Sequence, residues 1–184
     1  LPWYKFGKPY WYKDAYASNQ MKHKEIAFLT PPQTLSGGVI GFQVEYLEKF
    51  NGFRTDLGMN GKNIGYGEED EIQHRMFKAG IKLVYDPQLV IYHVVAQYKL
   101  SVSWFLKSYY ALGRDLVLIN GLKRNFKNIS IHTMLLLTTL LINITFYSFK
   151  LLNKKYFFEN WCIDVFKKPT KRLSILIHLT HNGR

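Results

Sequence analysis

Residues 65–75 read Gly-Tyr-Gly-Glu-Glu-Asp-Glu-Ile-Gln-His-Arg, four consecutive carboxylates between two turn glycines and a helical pattern. Like charges in a row repel, so the arrangement costs stability unless a helix dipole, a cation or a bound ligand offsets the repulsion. Each neighbouring carboxylate disfavours a further ionisation and moves an acid toward the pKa that a general base needs near neutrality, while a helix N-terminus pulls the other way. A plain structural reading stands beside the chemical one, because acids in a first turn stabilise ordinary helices. Arg75, about a turn further on, can pair with these acids and is not counted as catalytic.

The elements around the acids follow from pattern. Residues 58–67 hold four glycines, which suits a loop that needs positive φ or close backbone approach, and such loops are often mobile. Upstream, LSGGVIGFQVEYLEKFNGF predicts a Gly pair, a short apolar strand, and a helix that begins near Gln43 and stops before Gly52. Downstream, Ile72, Met76 and Ala79 recur at helical spacing with Gly80 as the cap. IKLVYD then predicts a strand closed by Asp86-Pro87, and LVIYHVV a second, buried strand with His93 near its end. Residues 1–35 read as irregular, with one strand at 25–29 ending at Pro31-Pro32.

Residues 101–120 read as a helix that the Gly113-Arg114 pair bends or ends. The 21 residues 129–149 carry no charged side chain and are flanked by Lys123, Arg124 and Lys127 on one side and Lys150, Lys154 and Lys155 on the other. That length suffices to span a bilayer, although His132, Asn143 and several Thr argue against it and the two basic flanks give no orientation. An interfacial helix and a buried core helix are the other two readings of this segment. Residues 156–184 repeat the mixture of aromatics, aliphatics and cations and suggest a membrane-surface helix.

Composition narrows the classes. A chain of 184 residues, 47% apolar and 16% aromatic, can bury a core and is not a disordered tail. The single Cys162 excludes an internal disulfide framework and a Cys-rich zinc site, which fits a reducing compartment. Residues 1–96 carry 11 basic and 10 acidic side chains, whereas residues 97–184 carry 14 basic and 3 acidic, so nearly all of the net charge of +12 lies in the second half. Such asymmetry points to a polyanionic partner, and the neighbouring apolar runs favour an anionic membrane surface over nucleic acid. The chain opens at Leu1 with neither an initiator Met nor a signal pattern, which suggests a fragment.

Taken in order, Gly37-Gly38, residues 44–50, Asn51-Gly52-Phe53, the Gly-rich loop 58–67, the acids 68–71, Arg75 and His93 resemble the C-terminal, acceptor-side half of a GT-A type glycosyltransferase. The likeness is to family 2 and its galactosyl- and N-acetylgalactosaminyltransferase relatives, and it covers residues 35–96. It implies an α/β fold: a partial GT-A, Rossmann-like domain over residues 1–100 lacking its N-terminal donor-binding half. Residues 101–184 would form a basic, apolar, helical extension holding the enzyme at the cytoplasmic face of a membrane, peripherally or by a single span.

The resemblance implies transfer of a sugar from a nucleotide-diphospho-sugar, such as a UDP-sugar, to a hydroxyl of a glycan or lipid-linked acceptor, with inversion. In the family the second acid of the pair is an Asp six residues before the helix Arg, and here that position is Glu69. Aligning on the dipeptide Glu69-Asp70 makes Asp70 the base but moves Arg75 out of register by one residue, about 100° around a helix. Glu69 is therefore the favoured base, Asp70 the runner-up, and Glu68 orients the acceptor. Gly37, Gly38, Tyr66 and Gly67 would line the substrates, with Tyr66, and Trp11 less directly, available to stack on a sugar ring.

His93 would ligate a divalent cation, Mn²⁺ or Mg²⁺, which neutralises the departing diphosphate. The Asp-X-Asp element that supplies the remaining ligands in the family does not occur in this sequence. The chain alone is accordingly expected to be inactive and to show no saturable UDP-sugar binding. Two other classes remain open: a glycan-binding or scaffold protein that kept the fold and lost catalysis, and a basic module for membrane surfaces or nucleic acid.

Overall fold

The computed structural model describes residues 7–16, 21, 23–61, 63–91 and 95–181. In chain order the elements are β1 (Ala27–Phe28), α1 (Val44–Lys49), α2 (Glu68–Lys78), β2 (Val84–Tyr85), α3 (Val102–Ile119), α4 (Phe126–Lys150) and α5 (Phe158–His181). The architecture is mixed but mostly helical. Among the described residues the sheet is a single antiparallel pair, with Ala27 opposite Tyr85 and Phe28 opposite Val84.

Local chemistry sets the helix starts. Ser101 Oγ accepts the Trp104 N–H at 3.2 Å and Asn125 Oδ1 accepts the Asn128 N–H at 2.7 Å, capping α3 and α4. Three apolar clusters then fix the arrangement. Leu29, Ile72, Met76 and Leu83 join α2 to the strand pair, with Leu35, Phe42 and Leu47 packed around them. Full burial of Ile72 and Met76 contributes roughly 1.5–3 kcal/mol each. Val117, Ile175 and Leu179 lock α3 to α5. Trp11 and Tyr12 pack with Leu100 and Ile163, so the first described segment lies against the C-terminal helices. Asn160 reinforces that docking by donating to the Trp11 carbonyl at 2.6 Å.

Several sequence expectations change here. The apolar run after Gly38 forms no strand, and Leu89, Val90 and Ile91, expected in a buried strand, lie exposed in irregular chain. β-branched residues favour a pleated, half-buried surface, and the two-residue strands offer no edge along which such a run could pair. The rest of that run, residues 92–94, lies outside the described residues. Gly113 neither bends nor ends α3. A Cβ there would overlap the Lys171 carbonyl and lie 2.7 Å from Ser174 Cβ, so the glycine is the point at which α5 closes on α3. α5 itself is no surface helix: it packs against α3 and α4, with Ile163, Val165, Ser174, Ile175 and Leu179 buried.

Candidate functional site

The acids open α2, and the loop before them is held by α3. Gly67 takes φ 91° as the N-cap residue, a left-handed conformation that favours glycine, and it lies against the tip of the Ile119 side chain on α3, 2.5 Å from an ideal Cβ. Gly65 passes so close to the Gly58 carbonyl that a Cβ would overlap it, while Asn60 and Asn63 exchange backbone hydrogen bonds at 3.2 and 2.9 Å. The glycine-rich loop thus closes on itself. Asp115, 1% exposed, accepts the Tyr66 N–H at 2.8 Å and the Arg114 Nε–H at 2.7 Å, and Arg114 Nη2 donates to the Ile64 carbonyl at 2.8 Å. One Arg-Asp pair on α3 therefore holds the loop from which α2 begins.

The four carboxylates meet different partners. Glu71 takes Arg75 at 2.7 Å, and the same guanidinium donates to the carbonyls of Phe50 and Gly52, which ties α2 to the end of α1. Arg75 is thus occupied structurally. Asp70 Oδ1 accepts the Thr34 hydroxyl at 2.6 Å. Glu69 lies over Gly37, where a Cβ would stand 2.5 Å from its Oε1, and Glu68 lies over Gly58, where a Cβ would stand 2.6 Å from its Cδ. Gly37 and Gly58 are therefore the floor on which two carboxylates rest. Glu68 Oε2 is buried with no hydrogen-bond donor among the described residues.

Gln73, fully buried, brings Gly37 to Glu69. Its Oε1 accepts the Leu35 N–H at 2.6 Å, and its Nε2 donates to the carbonyls of Leu35 at 3.0 Å and Glu69 at 2.9 Å. The side-chain amide substitutes for a strand neighbour and satisfies backbone groups that would otherwise be orphaned. Thr34, Gln73, Arg114 and Asp115 escape a reading of the sequence. The one available signal is a polar residue at a position where helical period demands an apolar one, as with Gln73 beside Ile72 and Met76.

Electrostatics separates the acids further. Burial is the largest cause and raises the pKa of Glu69, a backbone hydrogen bond opposes it, and the charges of Glu68 and Asp70 raise it further. The net is a carboxylate held above its ordinary range. Such a group takes a proton from a hydroxyl more readily than a solvated acid does.

Of the expected substrate residues, Gly37 meets Glu69 and Gly67 meets α3, whereas Gly38 lies 3.5 Å, measured from an ideal Cβ, from Ile91 Cδ1. The Tyr66 hydroxyl donates to Ser108 Oγ at 3.0 Å, so the residue braces the loop against α3. Trp11 is corrected outright: it is buried at 7% exposure beside Leu100 and Ile163 and presents no face to a sugar. The expected ligand His93 lies outside the described residues. Among those described, no group of three His, Cys, Asp or Glu side chains could hold a metal ion. Glu71 is paired with Arg75, and one oxygen of Asp70 with the Thr34 hydroxyl. No family, curated protein or solved structure matches this chain.

Proposed function

We propose that the chain is the acceptor-side portion of a GT-A glycosyltransferase of the family 2 kind, in which Glu69 is the base that takes the acceptor hydroxyl proton. The observation that carries this reading is the raised pKa of a half-buried Glu69 lying against Gly37. The absence of a side chain at Gly37 lets the Glu69 carboxylate lie against the backbone there, in space a Cβ would contest. Glu68 Oε2, a buried acceptor with no donor among the described residues, suits the acceptor-orienting role. Asp70 is the weaker candidate for the base because Thr34 already occupies its oxygen. The hydroxyl oxygen, freed of its proton by Glu69, attacks the anomeric carbon as the bond to the diphosphate breaks, and a single enzymic base implies inversion. The charge of the departing diphosphate falls to groups outside the described residues, where the resemblance also places the divalent cation.

The test is made on the natural gene product expressed from its own locus. Membranes from cells carrying Glu69→Gln should incorporate labelled sugar from nucleotide-diphospho-sugars about 10²–10⁴-fold more slowly, while Asp70→Asn keeps most of the rate. Full turnover by the Glu69 variant, or an anomeric configuration retained in the product by NMR, removes the assignment.

A further inference from the structure

α4 is long and apolar enough to cross a membrane, and no part of its apolar stretch is buried. Most of the polar residues that argued against a membrane have partners within the fold. Thr138 and Thr145 donate to the carbonyls of Met134 and Leu141 at 2.8 and 3.0 Å, and Thr139 donates to that of Leu135. Asn143 turns to α5 and donates to the Val165 carbonyl at 3.1 Å, and His132 meets Arg172 at 3.1 Å. The outer face carries Phe126, Met134, Leu137, Leu141, Ile142 and Phe149, exposed by 57–86%, with the smaller Ser130, Thr133, Thr138 and Thr145 exposed among them.

The same contacts fix how α4 can meet lipid. Ser148 lies beside Trp161, Asn143 beside Val165 and His132 beside Arg172, so α4 and α5 run antiparallel. Lys167, Lys168 and Lys171 are therefore level with the central turns of α4. Asp164 pairs with Lys167 at 2.9 Å, but among the described residues no ion pair covers Lys168, Lys171 or Arg172. If α4 spanned a bilayer, its partner would carry these cations into the hydrocarbon, where charge is costly. Entry by the turn between the helices would do the same with Lys150, Lys154 and Lys155. Lying flat avoids both. Lys123, Arg124, Lys127, Lys150, Lys154 and Lys155 are all exposed at the two ends of α4, and no acidic residue occurs between Asp115 and Glu159.

We infer that α4 lies in the plane of an anionic membrane leaflet, with its outer face embedded at the level of the acyl boundary and its terminal cations among the headgroups, and that it does not span. α5 then stands behind it as the strut that joins this anchor to α3 and the acid site. Apolar burial and headgroup attraction are the two contributions that bind such helices.

The experiment uses the full chain and sealed vesicles of phosphatidylcholine with or without phosphatidylserine. Sedimentation should show binding that requires phosphatidylserine, weakens about fivefold for each of Lys154→Gln and Lys155→Gln, and weakens about tenfold or more for Leu141→Asp with helix content unchanged. Sidedness decides the geometry. In a Cys162→Ser background, Arg124→Cys and Lys154→Cys should both react with an impermeant maleimide added outside. Trypsin added outside the wild-type vesicles should cut on both sides of α4, a readout that needs no substitution. Protection of one end until detergent is added would mean a span and overturn the inference. Equal binding to neutral vesicles, or no vesicle binding with a dimer that Leu141→Asp dissociates, would overturn it as well, the last by placing a second copy on the face.

Discussion

Asp115→Asn tests how α3 positions the acid helix. The substitution is isosteric, but the carboxylate accepts two donors, Tyr66 N–H at 2.8 Å and Arg114 Nε–H at 2.7 Å, at a side chain 2% exposed. An amide keeps one acceptor oxygen and turns its NH₂ toward the other donor, so one charge-assisted bond is lost at roughly 1.5–3 kcal/mol. Arg114 retains its bond to the Ile64 carbonyl and its side chain is 32% exposed, so the penalty for the unpaired guanidinium is largely screened. The loss is therefore roughly 1.5–3 kcal/mol, or about 10- to 140-fold in an opening equilibrium at ~1.4 kcal/mol per tenfold. Amide hydrogen exchange at Tyr66 reads this directly, and the urea midpoint should fall with it. Tyr66 exchange within about twofold of wild type, with an unmoved midpoint, would show that α3 does not hold the loop.

Two further perturbations address the acids and the helical interface. The raised pKa of Glu69 means that the folded state favours its protonated form: this contribution to stability is complete below the ordinary Glu pKa and is lost as pH rises through the folded value. Glu69→Gln should therefore gain a few tenths of a kcal/mol over wild type near pH 7 and lose that advantage near pH 4, as judged from urea midpoints; a variant relatively weaker near pH 7 would refute the sign. Gly113→Ala should destabilise by about 2 kcal/mol despite a gain of roughly 1 kcal/mol in helix propensity, because the Lys171 carbonyl cannot move away from the new methyl. A rise in melting temperature would show that α3 and α5 can separate without cost.

The helices were legible because their causes are local. Periodicity marks Ile72 and Met76, and Gly52 and Gly80 lie just past the ends of α1 and α2. The apolar run after Gly38 and residues 89–91 form no strand, because a β-branched run states a preference, while a strand needs a neighbour that sequence does not supply. Gly113 was misread for a related reason: without α5 in view, a glycine in a helix looks like a break, and with it the glycine is the contact.

The amino-acid order by itself determined the acid cluster, the basic second half and the apolar stretch, since charge and hydrophobicity belong to residues one at a time. Tertiary structure decided which carboxylate is sheltered, by setting Gly37 under Glu69, Gly58 under Glu68, Thr34 on Asp70 and Arg75 on Glu71. It also decided what α4 shows to its surroundings, by turning His132 and Asn143 inward to α5. Proton affinity and exposure depend on what lies across a gap of a few ångströms, and that neighbour is often tens of residues away along the chain.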